Sequence, residues 1–302
     1  MRRLLFTLAV LAAAPQAPHP PGVRITTRPR VPRQGSLVQL RVTPPADDDS
    51  VVAVSGELAG EPLHFEPSPR RGGGGGDGGF RALGGVPLDA PDTIAVRLEL
   101  HQASGVVDTE VVSLPVARRR AVVDRVTTAP RFAEEPDSAV TARIMAEREL
   151  TRRVSRGAHD IPRLWVKPFV RPRPRASRVT SPFGARREVN GVLGGRHPGV
   201  DVAGPAGAPV RAANRGVVAL VGDFFFGGIS VYVYHGAGLL TAYHHLSSAA
   251  VAIGDTVERA EVIGRVGATG RVTGPHLHWG AQYGRHSVDP ADLLTLLAAG
   301  PD

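Results

Sequence analysis

The sequence predicts a mostly β protein in which two antiparallel β domains are joined by a helical connector rich in arginine and proline. In both outer parts of the chain, short valine-rich runs alternate with polar residues, and clusters of glycine and proline separate the runs. Hydrophobic residues make up 42% of the 302 positions, which is enough for a core and excludes wholesale disorder.

Residues 22–115 are expected to form a small β-sandwich of immunoglobulin-like type. Two runs show the alternation clearly, and their apolar positions are Val38, Leu40, Val42 and Ile94, Val96, Leu98, Leu100. A glycine cluster at residues 72–76 predicts a hairpin loop, because the Lys-Ser/Thr pair of a phosphate-binding loop does not follow it.

The first residues have the pattern of an export signal. Met1-Arg2-Arg3 precedes an apolar run at residues 4–14, and small residues follow. Such a run is too short to cross a bilayer, which takes about 20 residues. We therefore expect residues 1–17 to be a signal peptide and the mature chain to have no stable membrane span. An uncleaved anchor or a buried amino-terminal helix is the alternative.

The formal net charge of +8 is concentrated in the connector, residues 116–175, which holds 15 basic and 7 acidic residues. The flanking parts are close to neutral, and aromatic residues are only 5% of the chain, so a nucleic-acid-binding domain is disfavoured. Asp137 and Ser138 predict the start of a helix that ends near Val154. Four prolines after it predict an extended chain.

Cysteine is absent, which excludes disulfide scaffolds, Cys-ligated zinc, iron–sulfur clusters and thiol nucleophiles. Histidine and carboxylate patterns remain: His197 precedes Asp201 by four residues, and His276 precedes His278 by two. On a strand, His276 and His278 project to the same face. Two imidazoles and one carboxylate suit Zn²⁺, and three protein ligands leave the fourth position open for catalysis.

Four ordered motifs strengthen this interpretation. They are Ser181-Pro182-Phe183-Gly184-x-Arg186, His197-x-Gly199-x-Asp201, Tyr243-x-His245-Leu246-Ser247, and the run from Gly267 to His278 that follows the pattern G-x-T-G-x-x-T-G-P-H-L-H. In these motifs, residues 178–295 resemble the lysostaphin-type (LytM-type) zinc endopeptidases, a family that cuts peptidoglycan cross-links.

The resemblance implies a Zn²⁺ cofactor and assigns roles to five residues. The implied ligands are His197, Asp201 and His278, and the implied catalytic histidines are His245 and His276. His245 matches because it directly precedes Leu246, whereas strand alternation predicts that His244 faces the opposite side. His235 is expected to be structural. Many family members carry a tyrosine before the first ligand, and here Asn190 or Arg196 would have to replace it.

The resemblance further implies that residues 176–302 are a zinc metallopeptidase domain acting on peptide cross-links of bacterial peptidoglycan. The protein would be exported to the periplasm or cell envelope, or to the extracellular space where there is no outer membrane. The alternative is a non-catalytic LytM-like regulator that activates a cell-wall amidase. The sandwich would serve as a spacer or stability module, or it would dock on the catalytic groove or present that groove to the cell wall. No nucleic-acid partner is expected, and the sequence leaves the oligomeric state open.

Overall fold

The computed structural model describes residues 23–44, 51–68, 79–120, 122–132 and 135–296. The predicted signal peptide at residues 1–17 and the predicted glycine loop at residues 72–76 lie outside the described residues. Within the described part the chain is mostly β, as the sequence predicts, and its strands are arranged in antiparallel sheets with one parallel pair. No helix in this part of the chain is long and apolar enough to span a membrane.

The amino-terminal domain is a sandwich of two four-stranded sheets, ordered β1-β2-β6-β5 and β4-β3-β7-β8. Its strands are β1 (Arg24–Arg28), β2 (Leu37–Thr43), β3 (Val51–Leu58), β4 (Glu61–Pro62), β5 (Glu66–Ser68), β6 (Gly79–Gly85), β7 (Thr93–Gln102) and β8 (Val107–Pro115). Leu40 of β2 and Leu98 of β7 belong to one buried cluster, which confirms the predicted alternation. The sequence does not predict β4, β5 and β6, because their glycine and proline residues are typical of turns.

The connector, residues 116–175, contributes its own elements. These are β9 (Val123–Val126), a 3₁₀ turn at Pro130–Phe132 and α1 (Ser138–Gly157). Asp137 caps α1 as predicted, because its carboxylate accepts a hydrogen bond from the Val140 N–H at 2.8 Å.

The carboxyl-terminal domain is built on one large antiparallel sheet in the order β10-β13-β20-β17-β16-β15-β18, to which β14, β19 and β21 add. A smaller sheet, β12-β11-β9, includes the connector strand β9 in parallel with β11. The elements are β10 (Val179–Ser181), β11 (Arg186–Val189), β12 (Val192–Arg196), β13 (Gly199–Ala203), β14 (Pro209–Arg211), β15 (Gly216–Phe224), β16 (Gly228–Gly236), β17 (Leu239–Ala249), β18 (Thr256–Val257), β19 (Val262–Val266), β20 (His276–Tyr283), β21 (His286–Val288) and α2 (Pro290–Thr295).

The connector is packed against the carboxyl-terminal domain. Val154 of α1 shares a buried cluster with Phe224 of β15. Farther along, Trp165 and Phe169 are only 8% and 4% exposed, and both lie in the main core of the carboxyl-terminal domain. This segment therefore completes the carboxyl-terminal core instead of running free between two domains.

The sandwich contacts the carboxyl-terminal domain at the end of strand β20 that is farther from the predicted site. The Tyr283 hydroxyl donates a hydrogen bond to the Pro62 carbonyl at 2.7 Å, and the Leu37 N–H donates to Asp292 Oδ2 at 2.9 Å. Strand β20 begins at His276 and ends at Tyr283. The described part of the sandwich thus contacts the end of β20 that lies farther from His276.

Candidate metal site and catalytic cleft

Three adjacent strands, β13, β20 and β17, bring the predicted site residues side by side. Asp201 of β13 is directly opposite His278 of β20, and His278 is opposite His244 of β17. Residues that face each other on neighbouring strands project to the same side of the sheet. The sheet therefore gathers a carboxylate and two imidazoles, distant in sequence, into a single row.

His197, in the turn between β12 and β13, completes a buried triad with Asp201 and His278. The His197 Nε2 atom is 2.8 Å from His278 Nδ1 and 3.1 Å from Asp201 Oδ1. The His278 Nδ1 and Asp201 Oδ1 atoms are 2.9 Å apart. Among the described residues, this triad is the only group of His and acidic donors compact enough to share one ion.

The donor atoms of the triad fit a tetrahedral metal ion. Ligand atoms that lie about 2.0–2.1 Å from such an ion are separated from each other by about 3.4 Å, so the triad needs to open only slightly. The His197 Nδ1–H donates to the Pro182 carbonyl at 3.0 Å, which leaves Nε2 unprotonated and facing the triad. The side chains present therefore fit a metal ion.

The electrostatics of the triad favour the same conclusion. Burial acts to raise the pKa of Asp201, but hydrogen bonds with His197 and His278 outweigh it and hold that pKa well below its usual value. Burial lowers the pKa of the His278 imidazole to about 3. An ionised carboxylate and a neutral imidazole are the forms in which these side chains bind metals.

A β-bulge in β17 brings His244 and His245 to the same side of the sheet. The register between β16 and β17 shifts between Tyr243 and Leu246, and His245 has φ of +62°. The rings of His244 and His245 are centred 5.1 and 6.0 Å from the ring of His278. The prediction that His244 faces away from the site is therefore wrong, because strand alternation is interrupted at the bulge.

His245 and His276 each have one ring nitrogen fixed and the other free. The Nδ1–H of His245 donates to the Thr269 carbonyl, and that of His276 donates to the Gly274 carbonyl, both at 2.9 Å. Because a carbonyl only accepts, the proton sits on Nδ1 and Nε2 keeps its lone pair. The His276 Nε2 atom is 3.7 Å from Asp201 Oδ1. The unprotonated nitrogen of His276 thus faces Asp201, and the His245 ring is centred 5.0 Å from the His276 ring.

A cavity of about 230 Å³, here called the cleft, opens beside the triad. Its sheet side includes His244, His245 and His278, and its other wall is formed by helix α1. The helix residues that line it are Ile144, Glu147, Arg148 and Thr151. The Glu147 carboxylate accepts a hydrogen bond from the Phe225 N–H at 2.9 Å, which fixes α1 against the turn between β15 and β16. The connector helix therefore shapes the cleft.

Two cationic residues of the cleft, Arg187 and Arg271, are missed by the sequence reasoning. Arg187 Nη2 donates to Asp201 Oδ2 at 2.5 Å. The Arg271 guanidinium lies 4.5 Å from the ring centre of Phe226, and burial, with the nearby charge of Arg187, lowers its pKa. The chain has 36 basic residues, so composition gives no signal for which of them reach a site. The available hints are positional: Arg187 directly follows Arg186 of the first motif, and Arg271 lies within the run from Gly267 to His278.

The two candidates for replacing the family's tyrosine lie outside the residues that line the cleft. Asn190 occupies the turn between β11 and β12 with φ of +49°, and its amide binds the backbone N–H and carbonyl of Thr128 at 2.8 and 3.1 Å. Arg196 ends β12. His235 is fully buried, with both ring nitrogens hydrogen-bonded, as expected for a structural residue.

Comparison with known proteins places this geometry in a family. Residues 195–290 match the family model described as peptidase family M23. The DD-carboxypeptidase/endopeptidase Mpg of Neisseria meningitidis serogroup B is 42% identical over 117 residues, which are 39% of this chain and 27% of that protein. The peptidoglycan DD-endopeptidase ShyC of Vibrio cholerae is 40% identical over 119 residues, again 39% of this chain and 27% of that protein.

A crystal structure from Pseudomonas aeruginosa, described as a candidate M23 peptidase, is similar over most of the chain. The similarity covers 87% of this chain and 95% of that one, with a TM-score of 0.63 and 28% sequence identity. The chain spans little more than a quarter of the length of the curated relatives named above. The triad, His245 and His276 all lie within the matched residues 195–290. Residues 195–290 are therefore a domain of the LytM-type peptidase family M23.

Proposed function

We propose that the chain is a zinc-dependent endopeptidase that hydrolyses peptide cross-links of bacterial peptidoglycan. The observation that carries this proposal is the triad, whose three buried donor atoms lie within 3.1 Å of each other beside a cleft. Three protein ligands with an open side are typical of catalytic rather than structural zinc sites.

The ligands in this proposal are His197 through Nε2, Asp201 through Oδ1 and His278 through Nδ1. A set of nitrogen and oxygen donors without sulfur is one that Zn²⁺ uses in catalytic sites. When bound, Zn²⁺ supplies positive charge that polarises a scissile carbonyl and makes water more acidic.

His245 and His276 form the proposed acid–base pair. Burial, together with the neighbouring His276 and His244, lowers the pKa of His245 to about 3, so its imidazole is neutral and able to accept a proton. The free Nε2 of one histidine takes the proton of the attacking water. The same histidine then returns that proton to the leaving amine, and the free Nε2 of the other histidine accepts a hydrogen bond that orients the attacking water. Because both Nδ1 atoms donate to backbone carbonyls, the rings hold their orientation during proton transfer.

The substrate class rests on the relatives' names and on the charge of the cleft. Two relatives are named as DD-endopeptidases, and one of these names specifies peptidoglycan. The cleft is lined by Arg148, Arg187 and Arg271, which suit peptides that carry carboxylates. Such cross-links lie in the cell envelope, so we also propose that the protein works in the periplasm, or outside the cell where there is no outer membrane. Masses of released muropeptides would identify the bond that is cleaved.

Substitution of His278 tests the proposal directly. His278→Ala removes one of the three donors and is expected to abolish both zinc binding and release of peptides from purified sacculi. His101→Ala, on strand β7 of the sandwich, is the matched control and is expected to retain both. Full zinc content with undiminished hydrolysis in His278→Ala would contradict the ligand assignment.

The same assay separates the proposed enzyme from a regulator of a cell-wall amidase. A zinc-loaded wild-type chain that releases no peptide from sacculi, yet stimulates an added amidase, would support the regulator. Peptide release without any amidase present supports the endopeptidase. Zinc content and muropeptide masses are therefore measured on the same preparation.

A further inference from the structure

The connector places a carboxylate beside the triad, on strand β9. This strand pairs in parallel with β11, and Asp124 of β9 is in register with Arg187 of β11. The Asp124 side chain is 24% exposed. Asp124 thus lies close to the predicted metal ligands, although it is outside residues 195–290, which match the family model.

Asp124 is linked to the first ligand through a buried hydroxyl. The Ser181 Oγ donates its proton to Asp124 Oδ2 at 2.5 Å and lies 3.0 Å from His197 Nδ1. A hydroxyl has one proton to donate. Ser181 uses that proton in its hydrogen bond to Asp124, so its oxygen can only accept a hydrogen bond from His197. This acceptance requires the proton of His197 to be on Nδ1. The Nε2 atom then presents its lone pair to the triad.

Asp124 is linked to the second ligand through Arg187. The Arg187 Nη2 atom donates to Asp201 Oδ2 at 2.5 Å, and its Nε is 3.9 Å from Asp124 Oδ2. The Arg187 side chain is 16% exposed, so both carboxylates face a poorly hydrated guanidinium. Arg187 thereby occupies Oδ2 of Asp201 and leaves Oδ1 for the triad.

We infer that Asp124 is a positioning residue for the metal site, acting on His197 through Ser181 and on Asp201 through Arg187. This inference rests on the proposed metal-dependent function. It makes the connector part of the metal site and gives a functional reason for the parallel pairing of β9 with β11. Carboxylates that orient metal-bound histidines are typical of such sites, and their loss usually weakens metal affinity about 10–100-fold.

Replacing Asp124 with asparagine tests the inference with an isosteric side chain. The asparagine amide has no charge, so it accepts the Ser181 proton less strongly and attracts the Arg187 guanidinium less, while the Pro182 carbonyl still holds the His197 proton on Nδ1. Asp124→Asn is therefore expected to weaken Zn²⁺ binding about 10–100-fold, measured on the full chain by competition with a chromophoric chelator. Imidazole ¹⁵N shifts of the metal-free protein, assigned with His197→Gln, are expected to report a changed hydrogen-bond environment at His197 Nδ1 with the tautomer unchanged.

Glu188→Gln is the matched control. Glu188 lies on β11, next to Arg187, and pairs with Arg125 of β9 at 3.5 Å. The control removes one carboxylate charge from the same strand pair, and it is expected to leave Zn²⁺ affinity within about twofold of the wild type, as for a surface change. A general effect of charge or of β9 pairing would affect both variants equally.

If the wild type binds zinc and a folded Asp124→Asn variant binds it with unchanged affinity, the inference is overturned. A wild-type chain that binds no zinc would instead overturn the proposed function. If Asp124→Asn does not fold, Ser181→Ala serves as the second variant. Ser181→Ala breaks the same link but leaves the Pro182 carbonyl as acceptor, so it is expected to weaken Zn²⁺ binding about tenfold. Unchanged Zn²⁺ affinity in Ser181→Ala would also overturn the inference.

Discussion

The imidazoles of His245 and His276 are centred 5.0 Å apart, on neighbouring strands. This relationship depends on the positive φ of His245, which turns its side chain out of the normal strand alternation. Strand register already places His244 beside His278, and the bulge adds His245, so His244, His245 and His278 face one cleft. The relative position of the two histidines in the proposed acid–base pair therefore depends on the bulge in β17.

His245→Asn is expected to retain zinc but to lose hydrolysis. Asparagine tolerates the left-handed backbone at this position, and it cannot accept and release a proton as an imidazole does. Removal of a general acid–base group typically lowers turnover about 10²–10⁴-fold. Zinc content and peptide release from sacculi are measured together, with His101→Ala as the control. Wild-type turnover in a zinc-loaded His245→Asn would exclude His245 from the chemistry.

Gly199→Ala is expected to damage the metal site through steric overlap. A Cβ atom at this position would lie 2.6 Å from His278 Nε2 and 2.6 Å from the Trp279 carbonyl oxygen. The backbone contact cannot be relieved by rotating a side chain, so stability should fall by about 1–3 kcal/mol and Zn²⁺ affinity should fall with it. At Gly195 an added Cβ meets nothing within 4 Å. Gly195→Ala is therefore the control, and equal losses in the two variants would refute the steric explanation.

Trp165→Ala is expected to destabilise the carboxyl-terminal domain by about 3–5 kcal/mol, because a large buried side chain leaves a cavity. Trp165 is 8% exposed and packs in the main core, whereas the adjacent Val166 is 78% exposed. Val166→Ala should change the free energy of unfolding by no more than about 0.5 kcal/mol. Denaturant titration of the full chain measures both. A negligible effect of Trp165→Ala would show that the connector is dispensable for the core.

Asp292 gives the contact between the domains a pH dependence. Burial, reinforced by Asp289, raises the pKa of Asp292 to about 6, and its Oδ2 accepts the Leu37 N–H at 2.9 Å. This pKa exceeds that of an aspartate in the unfolded chain, about 3.9. The contribution of Asp292 to the free energy of unfolding is therefore complete below about pH 4 and is lost as the pH rises through about 6.

Asp292→Asn keeps the acceptor without the buried charge. The variant is therefore expected to gain stability relative to the wild type as the pH rises from about 4 to about 7. The free energy of unfolding of both proteins is measured by denaturant titration at several pH values in this range. A difference that stays constant across the range would contradict the assignment.

The sequence by itself determined the classes of element and the residues predicted for the site. Strand alternation placed Leu40 and Leu98 in the sandwich core, and Asp137 marked the start of α1. Spacing predicted that His276 and His278 share one face of a strand. These signals are local, because they depend on the residue repeat of a strand or helix. The motif resemblance singled out the triad histidines and Asp201. None of this required knowledge of which strands are neighbours.

The tertiary structure decided what lies around that site. The row of Asp201, His278 and His244 arises from strand register, and His245 reaches the same side of the sheet through a bulge that alternation does not predict. Asp124 and the α1 wall come from a connector that composition marked only as basic. Such contacts join residues separated by tens of positions, and pairing, burial and side-chain geometry fix them only when the chain has folded.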